Sequence, residues 1–120
     1  MIANPCRITG ISEAPGEIFA TVVTDASSAV FSGHFPGSPV LPGACSMQTL
    51  AEILRRVFGN GYYVGEIASC KFLRTVNPEI HGELSFSVSY AKERGGISFS
   101  ASGMLPDGEQ YMKIKAVAVC

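Results

Sequence analysis

Charge is scarce in this sequence. Asp, Glu, Lys and Arg make up 16% of its 120 residues and nearly cancel, leaving a formal net charge of −1. That balance removes the electrostatic footprint with which proteins hold nucleic acid. The four cysteines (Cys6, Cys45, Cys70 and Cys120) stand far apart with no CxxC pair, so neither a zinc knuckle nor a dithiol redox motif is written here. In a reducing compartment they are expected to act as small buried apolar residues, with Cys45 singled out by a helix-start position that favours thiolates. No apolar run approaches the roughly 18 residues that suggest a membrane span. The opening MIANPCRIT lacks the basic-then-apolar pattern of a secretory leader, which points to a cytoplasmic location. Internal repeats, low-complexity tracts and linkers are also missing, so residues 1–120 read as one domain. What is abundant is apolar: 47% of the chain is hydrophobic, enough for a real core and for surface buried in an oligomer.

One stretch organises the rest. Phe31 to Glu52 reads FSGHFPGSPVLPGACSMQTLAE, passing a histidine on a turn and entering the one long helical pattern in the chain. Gly33, Gly37 and Gly43 free the backbone where Pro36, Pro39 and Pro42 fix it, so the path is tightly specified. The helix is predicted from Gly43 to Phe58, ending at Gly59-Asn60-Gly61. Its predicted sheet-facing stripe is Ala44, Met47, Leu50, Ala51, Leu54, Val57 and Phe58, with Gln48, Glu52 and Arg55 along its border.

Two strands are expected before that helix and four after it. Cys6–Ile11 and Glu17–Val23 flank a turn at Ala14-Pro15-Gly16. Tyr62–Leu73, Glu83–Tyr90, Ile97–Met104 and Gln110–Val119 follow, punctuated by Asn77-Pro78, Arg94-Gly95-Gly96 and Pro106-Asp107-Gly108. One helix among antiparallel strands is an α+β plan in which the only sheet has to curl around the only helix.

With those residues in hand, a family likeness emerges. GHFPGSPVLPG, Gly33 to Gly43, resembles the signature of the β-hydroxyacyl-acyl carrier protein dehydratases of bacterial fatty acid synthesis. KFLRTVNPE, Lys71 to Glu79, resembles the strand-and-turn segment those enzymes carry after the helix. The resemblance covers nearly the whole chain. It implies the hot-dog fold, one long central helix wrapped by a curved antiparallel β-sheet. It also implies a homodimer or trimer of dimers with active sites between subunits. The implied substrate is a 3-hydroxyacyl thioester on acyl carrier protein, dehydrated reversibly to the trans-2-enoyl thioester in fatty acid or related lipid and polyene synthesis. No metal or organic cofactor is implied.

Residue by residue, the resemblance makes His34 the base that removes the proton α to the thioester carbonyl. Imidazole titrates near neutrality and suits that task. Gly43 becomes the residue whose N–H, backed by the helix dipole, polarises the carbonyl. Phe35, Pro36, Pro39, Val40, Leu41 and Ala44 would line the acyl chain's path. One position departs from the family. A carboxylate is expected five residues after that glycine, and this chain has Gln48; where the family carries glutamine, four residues on, this chain has Glu52. An amide can hold a hydroxyl but cannot protonate it.

Each assignment has a plainer alternative. His34 could cap its loop, Gly43 could serve close packing, Gln48 could be an interface polar group, and Glu52 could pair with Arg55 or Arg56. The six apolar residues could be core. Lys71, Arg74, Lys92 and Arg94 could meet an acidic carrier protein or simply solubilise the surface, and His81 reads as an exposed turn residue. Two other functions also remain open: an acyl-binding or partner subunit without activity of its own, suggested by Gln48, and a thioesterase on the same fold.

Overall fold

A computed structural model describes residues 4–32 and 39–120. His34, Phe35 and Pro36 therefore lie outside the described residues. The strands are β1 (Cys6–Ala14), β2 (Glu17–Thr24), β3 (Tyr63–Phe72), β4 (Glu83–Glu93), β5 (Gly96–Met104) and β6 (Gln110–Val119). A short 3-10 turn spans Ala29–Ser32, and the helix, α1, runs Gly43–Phe58. The six strands form one antiparallel sheet in the order β1-β2-β4-β5-β6-β3, curved around α1. This is the hot-dog arrangement the sequence implied. β1 and β4 each run three residues further than the sequence pattern predicts, because the hairpin ladders continue to their turns.

Alternation explains the inner strands. Leu84, Phe86 and Val88 on β4 and Ile97, Phe99 and Ala101 on β5 are buried, while the serines between them face outward. The tight turns joining β1 to β2 and β4 to β5 hold Gly16 at φ 73° and Gly95 at φ 89°, a backbone region that favours glycine.

The buried stripe of the helix shares Leu50 and Leu54 with the predicted one and otherwise differs from it. Cys45, Ser46, Thr49, Leu50, Ile53 and Leu54 are buried, whereas Ala44 is exposed and Met47, Ala51, Val57 and Phe58 are only partly covered. The error came from choosing the most apolar path. Two polar residues sit inside because each has a partner: the Ser46 hydroxyl lies 2.9 Å from the Tyr111 hydroxyl, and Thr49 Oγ1 donates to the Cys45 carbonyl at 2.8 Å. Satisfied in this way, they cost little to bury.

Strand β3 departs further from expectation. It is an edge strand, bulged between Val64 and Glu66 and again between Ile67 and Ser69. Its side chains are almost all exposed. Val64, Ile67, Cys70 and Phe72 pair with Ala118, Ala116, Ile114 and Met112, which are buried on the helix side of the sheet. Yet Ile67 and Phe72 remain 48% and 49% exposed. The sheet's inner face thus extends past the helix, and Ile67 and Phe72 on that extension stay half-exposed.

Candidate active site

The approach to α1 is pinned from two sides. Leu41 is buried, and its N–H donates to the Val76 carbonyl at 2.8 Å, tying the proline-rich segment to the loop after β3. Pro42 is extended (φ −61°, ψ 139°) and supplies no side-chain cap. Its carbonyl accepts the Cys45 N–H at 2.9 Å. Gly43 then opens the helix. No helical carbonyl precedes its N–H, which has no hydrogen-bond partner among the described residues. The helix dipole adds partial positive charge at this same end.

Glycine at 43 is not required by backbone conformation, since its φ is not positive. It is required by a neighbour. A Cβ built there would lie 2.8 Å from Phe72 Cζ, with Cε2 and Cε1 at 3.1 and 3.2 Å. The tip of the Phe72 ring, carried by the last residue of β3, rests on the first residue of the helix.

The first helical turn is held by polar pins. Ser46 meets Tyr111, whose carbonyl accepts the Leu73 N–H at 2.7 Å and so fixes the chain just past Phe72. Gly103 leaves room for the Tyr111 ring, 2.7 Å from where its Cβ would stand. Asn4 Nδ2 donates to the Cys45 carbonyl (3.2 Å) and to Thr49 Oγ1 (3.0 Å). Burial raises the Tyr111 hydroxyl's pKa well above the ordinary tyrosine range. Burial likewise pushes the Cys6 thiol from near 9 up to about 11 and raises Cys45. Cys45 is therefore a protonated core thiol, not the stabilised thiolate its helix-start position suggested. Cys70 and Cys120, expected to be buried, are exposed.

The sequence-selected residues separate clearly. Gly43 and Leu41 sit together where the loop meets the helix, with Pro39 and Val40 half-buried beside them in sequence. Ala44 and Gln48 are exposed, and Gln48 lies about 40° round the helix from Ala44 at 100° per residue. Ala44, Gln48, Ala51 and Arg55 share the helix face opposite the buried stripe. Glu52 is displaced about a further 40° toward its border, where its Oε1 lies 3.5 Å from Arg55 Nε. The amide stands on the uncovered face and the carboxylate lies a further step toward the buried stripe.

Two side assignments change. Arg74 is engaged by Glu109 and, at 3.7 Å, by Asp107, so it is not a free surface cation. His81 is half-buried, not exposed; its Nδ1 accepts the Asn77 N–H at 3.0 Å and holds the turn before β4. Ser46 and Tyr111 escaped sequence reasoning altogether, and Phe72 entered it only as part of KFLRTVNPE, with no role of its own. The one available hint was Gly43 itself, because a glycine at a helix start with no positive φ marks a close approach.

Comparison with known proteins follows the same lines. The sequence model of the ApeI-like family, the ApeI dehydratase, matches residues 11–113. The 3-hydroxyacyl-[acyl-carrier-protein] dehydratase FabZ of Latilactobacillus sakei is 32% identical over 108 residues, covering 83% of this chain and 76% of that protein. FabZ of Lactiplantibacillus plantarum is 34% identical over 103 residues, covering 78% and 68%. The match to FabZ of Lactococcus lactis, at 32% identity, spans 66% of that protein's length. Among solved structures, the dehydratase heterocomplex ApeI:P from Xenorhabdus doucetiae superposes with a TM-score of 0.74 at 19% identity, covering 95% of this chain and 97% of that one. A thioesterase from Staphylococcus aureus reaches 0.65 at 8% identity and so shares the fold alone. The motif, the strand order and the extent of the family match agree, and the chain belongs to the ApeI-like family of dehydratases.

Proposed function

We propose that this chain dehydrates a 3-hydroxyacyl thioester, carried on acyl carrier protein in the cytoplasm, to the trans-2-enoyl thioester, and runs the step reversibly. The observation that carries the reading is Gly43 itself, whose N–H has no hydrogen-bond partner among the described residues at a helix start and whose α-carbon faces the Phe72 ring. Such a donor stabilises the enolate oxygen that forms when the α-proton leaves. His34, the sequence match to the family base, takes that proton. The electron pair left on the α-carbon forms the new double bond as the C3–O bond breaks. The departing hydroxyl needs a proton, and Gln48 has none to give. The imidazolium made at His34 supplies it, so the proton taken from the α-carbon leaves as part of water and the imidazole is restored. Gln48 then orients the hydroxyl by hydrogen bonding. Val40, Leu41 and Pro39, with Phe35, Pro36 and Ala44, bound the acyl path.

The assembly we propose is a homodimer, or a trimer of such dimers. A second copy would cover Ala44, Met47 and Ala51 on the helix together with Ile67 on β3, and would bring its own Gln48 to the site. Ala44 and Ile67 stand exposed and Met47 and Ala51 partly so, apolar surface that a second copy would remove from water.

Purified protein incubated with 3-hydroxyacyl and 2-enoyl thioesters tests the reading. Water addition and loss should be seen in the parent and vanish in His34→Ala. With a neutral amide at position 48, the rate should show a single limb with pH, where a second catalytic acid would give a bell. Turnover by Gln48→Glu but not by the parent would overturn self-sufficient catalysis.

Gln48 also favours a second reading. The chain would then pair with a related hot-dog subunit that brings a carboxylate to the equivalent position, as a heterocomplex partner. Turnover that appears only on mixing with such a subunit would establish it. Free thiol release without hydration would instead identify a thioesterase.

A further inference from the structure

We infer that Phe72 is a substrate-contacting residue, the wall that closes over the Gly43 amide, and that position 43 is glycine in order to let it do so. The inference rests on the dehydratase reading but goes beyond it, because nothing in the motif Gly33–Gly43 points to strand β3. Three observations carry it. The ring tip occupies the space where a side chain at 43 would begin, with Cζ 2.8 Å from that point. The ring is not core, since 49% of the residue is exposed on the inner-face extension that the helix fails to cover. Its backbone is nevertheless fixed: Phe72 pairs with Met112, and the Leu73 N–H bonds the Tyr111 carbonyl, whose hydroxyl in turn meets Ser46 in the first helical turn. A half-exposed aromatic ring on a rigid mount, against the residue whose helix-start N–H is assigned to the carbonyl, has a clear physical use. It keeps water off one side of that donor, where a drier surrounding strengthens the hydrogen bond to a developing oxyanion. It also fixes the plane in which the thioester lies.

The arrangement predicts an unusual pattern of variants. A methyl at position 43 meets the far end of a half-exposed side chain, which can swing aside. Gly43→Ala should therefore leave the fold intact, with alanine's better helix propensity helping it, while pushing the ring off the amide. Phe72→Ala removes the ring outright. Both variants should lose about 10- to 100-fold in kcat/KM, mostly in kcat. The double variant should be no worse than the poorer single one, and Phe72→Leu should recover part of the loss. The carbonyl stretch of a bound 13C-labelled enoyl thioester gives a readout independent of turnover. It should be displaced in the parent and displaced less in each variant, with melting temperatures close to the parent's. Unchanged kcat/KM and carbonyl frequency in Phe72→Ala would overturn the inference, as would losses that multiply in the double variant. A parent that neither binds nor turns over these thioesters would sink the dehydratase reading, and this inference with it. Binding with a displaced carbonyl that ignores Phe72 would sink the inference alone.

Discussion

The two faces of α1 obey different rules. The inner face, Cys45, Ser46, Thr49, Leu50, Ile53 and Leu54, is at most 2% exposed and accepts hydroxyl groups wherever each finds a partner. The outer face, Ala44, Met47, Gln48, Ala51 and Arg55, is by composition hardly less apolar, yet this chain covers it poorly. Hydrophobicity therefore does not tell the faces apart. Polar satisfaction does. The lesson extends to β3, whose inward positions look like core in sequence and stand half-exposed in the fold. One face holds the domain together; the other is left partly in water by this chain.

The largest contrast between the faces should come from Leu50→Ala or Ile53→Ala. Either opens a cavity beneath the helix and should cost about 2–5 kcal/mol in chemical denaturation. Tyr111→Phe comes next. It strands the buried Ser46 hydroxyl and should cost about 1–3 kcal/mol, and it loosens the mount of Phe72 as well. A third, smaller effect depends on pH. Cys6 ionises near 9 in the unfolded chain and at about 11 in the fold. Its contribution is thus fully present below pH 9 and is lost as pH rises to about 11. Denaturation midpoints of the parent should fall through that window more steeply than those of Cys6→Ala.

The outer face should answer through assembly rather than through folding. Ala51→Lys should preserve helical circular dichroism and shift the sedimenting species toward the single chain; an unchanged mass would place the subunit contact elsewhere. The smallest expected effect is that of Glu52→Gln. It removes a partly exposed i,i+3 ion pair and should change stability by only about 0.2–0.5 kcal/mol, less at high salt. A large loss of turnover in that variant would return Glu52 to the reaction, against its peripheral placement.

Much of the architecture could be read from the chain before any coordinates. Alternation in Leu84–Tyr90 and Ile97–Met104 located two strands, and the bounds of α1 fell where Gly43 and the Gly59-Asn60-Gly61 stop put them. Those signals are local, set by neighbours two or four residues away. The face of the helix that turns inward was misread because Ser46 depends on Tyr111, 65 residues distant, and no local pattern records that bond. For the site, the motif supplied Gly43, Gln48 and Glu52 as candidates, but not their order around the helix relative to the open face.

What the sequence determined by itself was the set of elements and the family chemistry written into Gly33–Gly43, because turn residues, periodicity and a contiguous motif all act at short range. Only the tertiary structure decided that Phe72 meets Gly43, that Glu52 stands aside paired with Arg55, and that the inner face of β3 stays half-exposed. The physical reason is the long-range pairing of β3 with β6, a contact between segments some forty residues apart that fixes where an edge strand ends and what its last side chain touches.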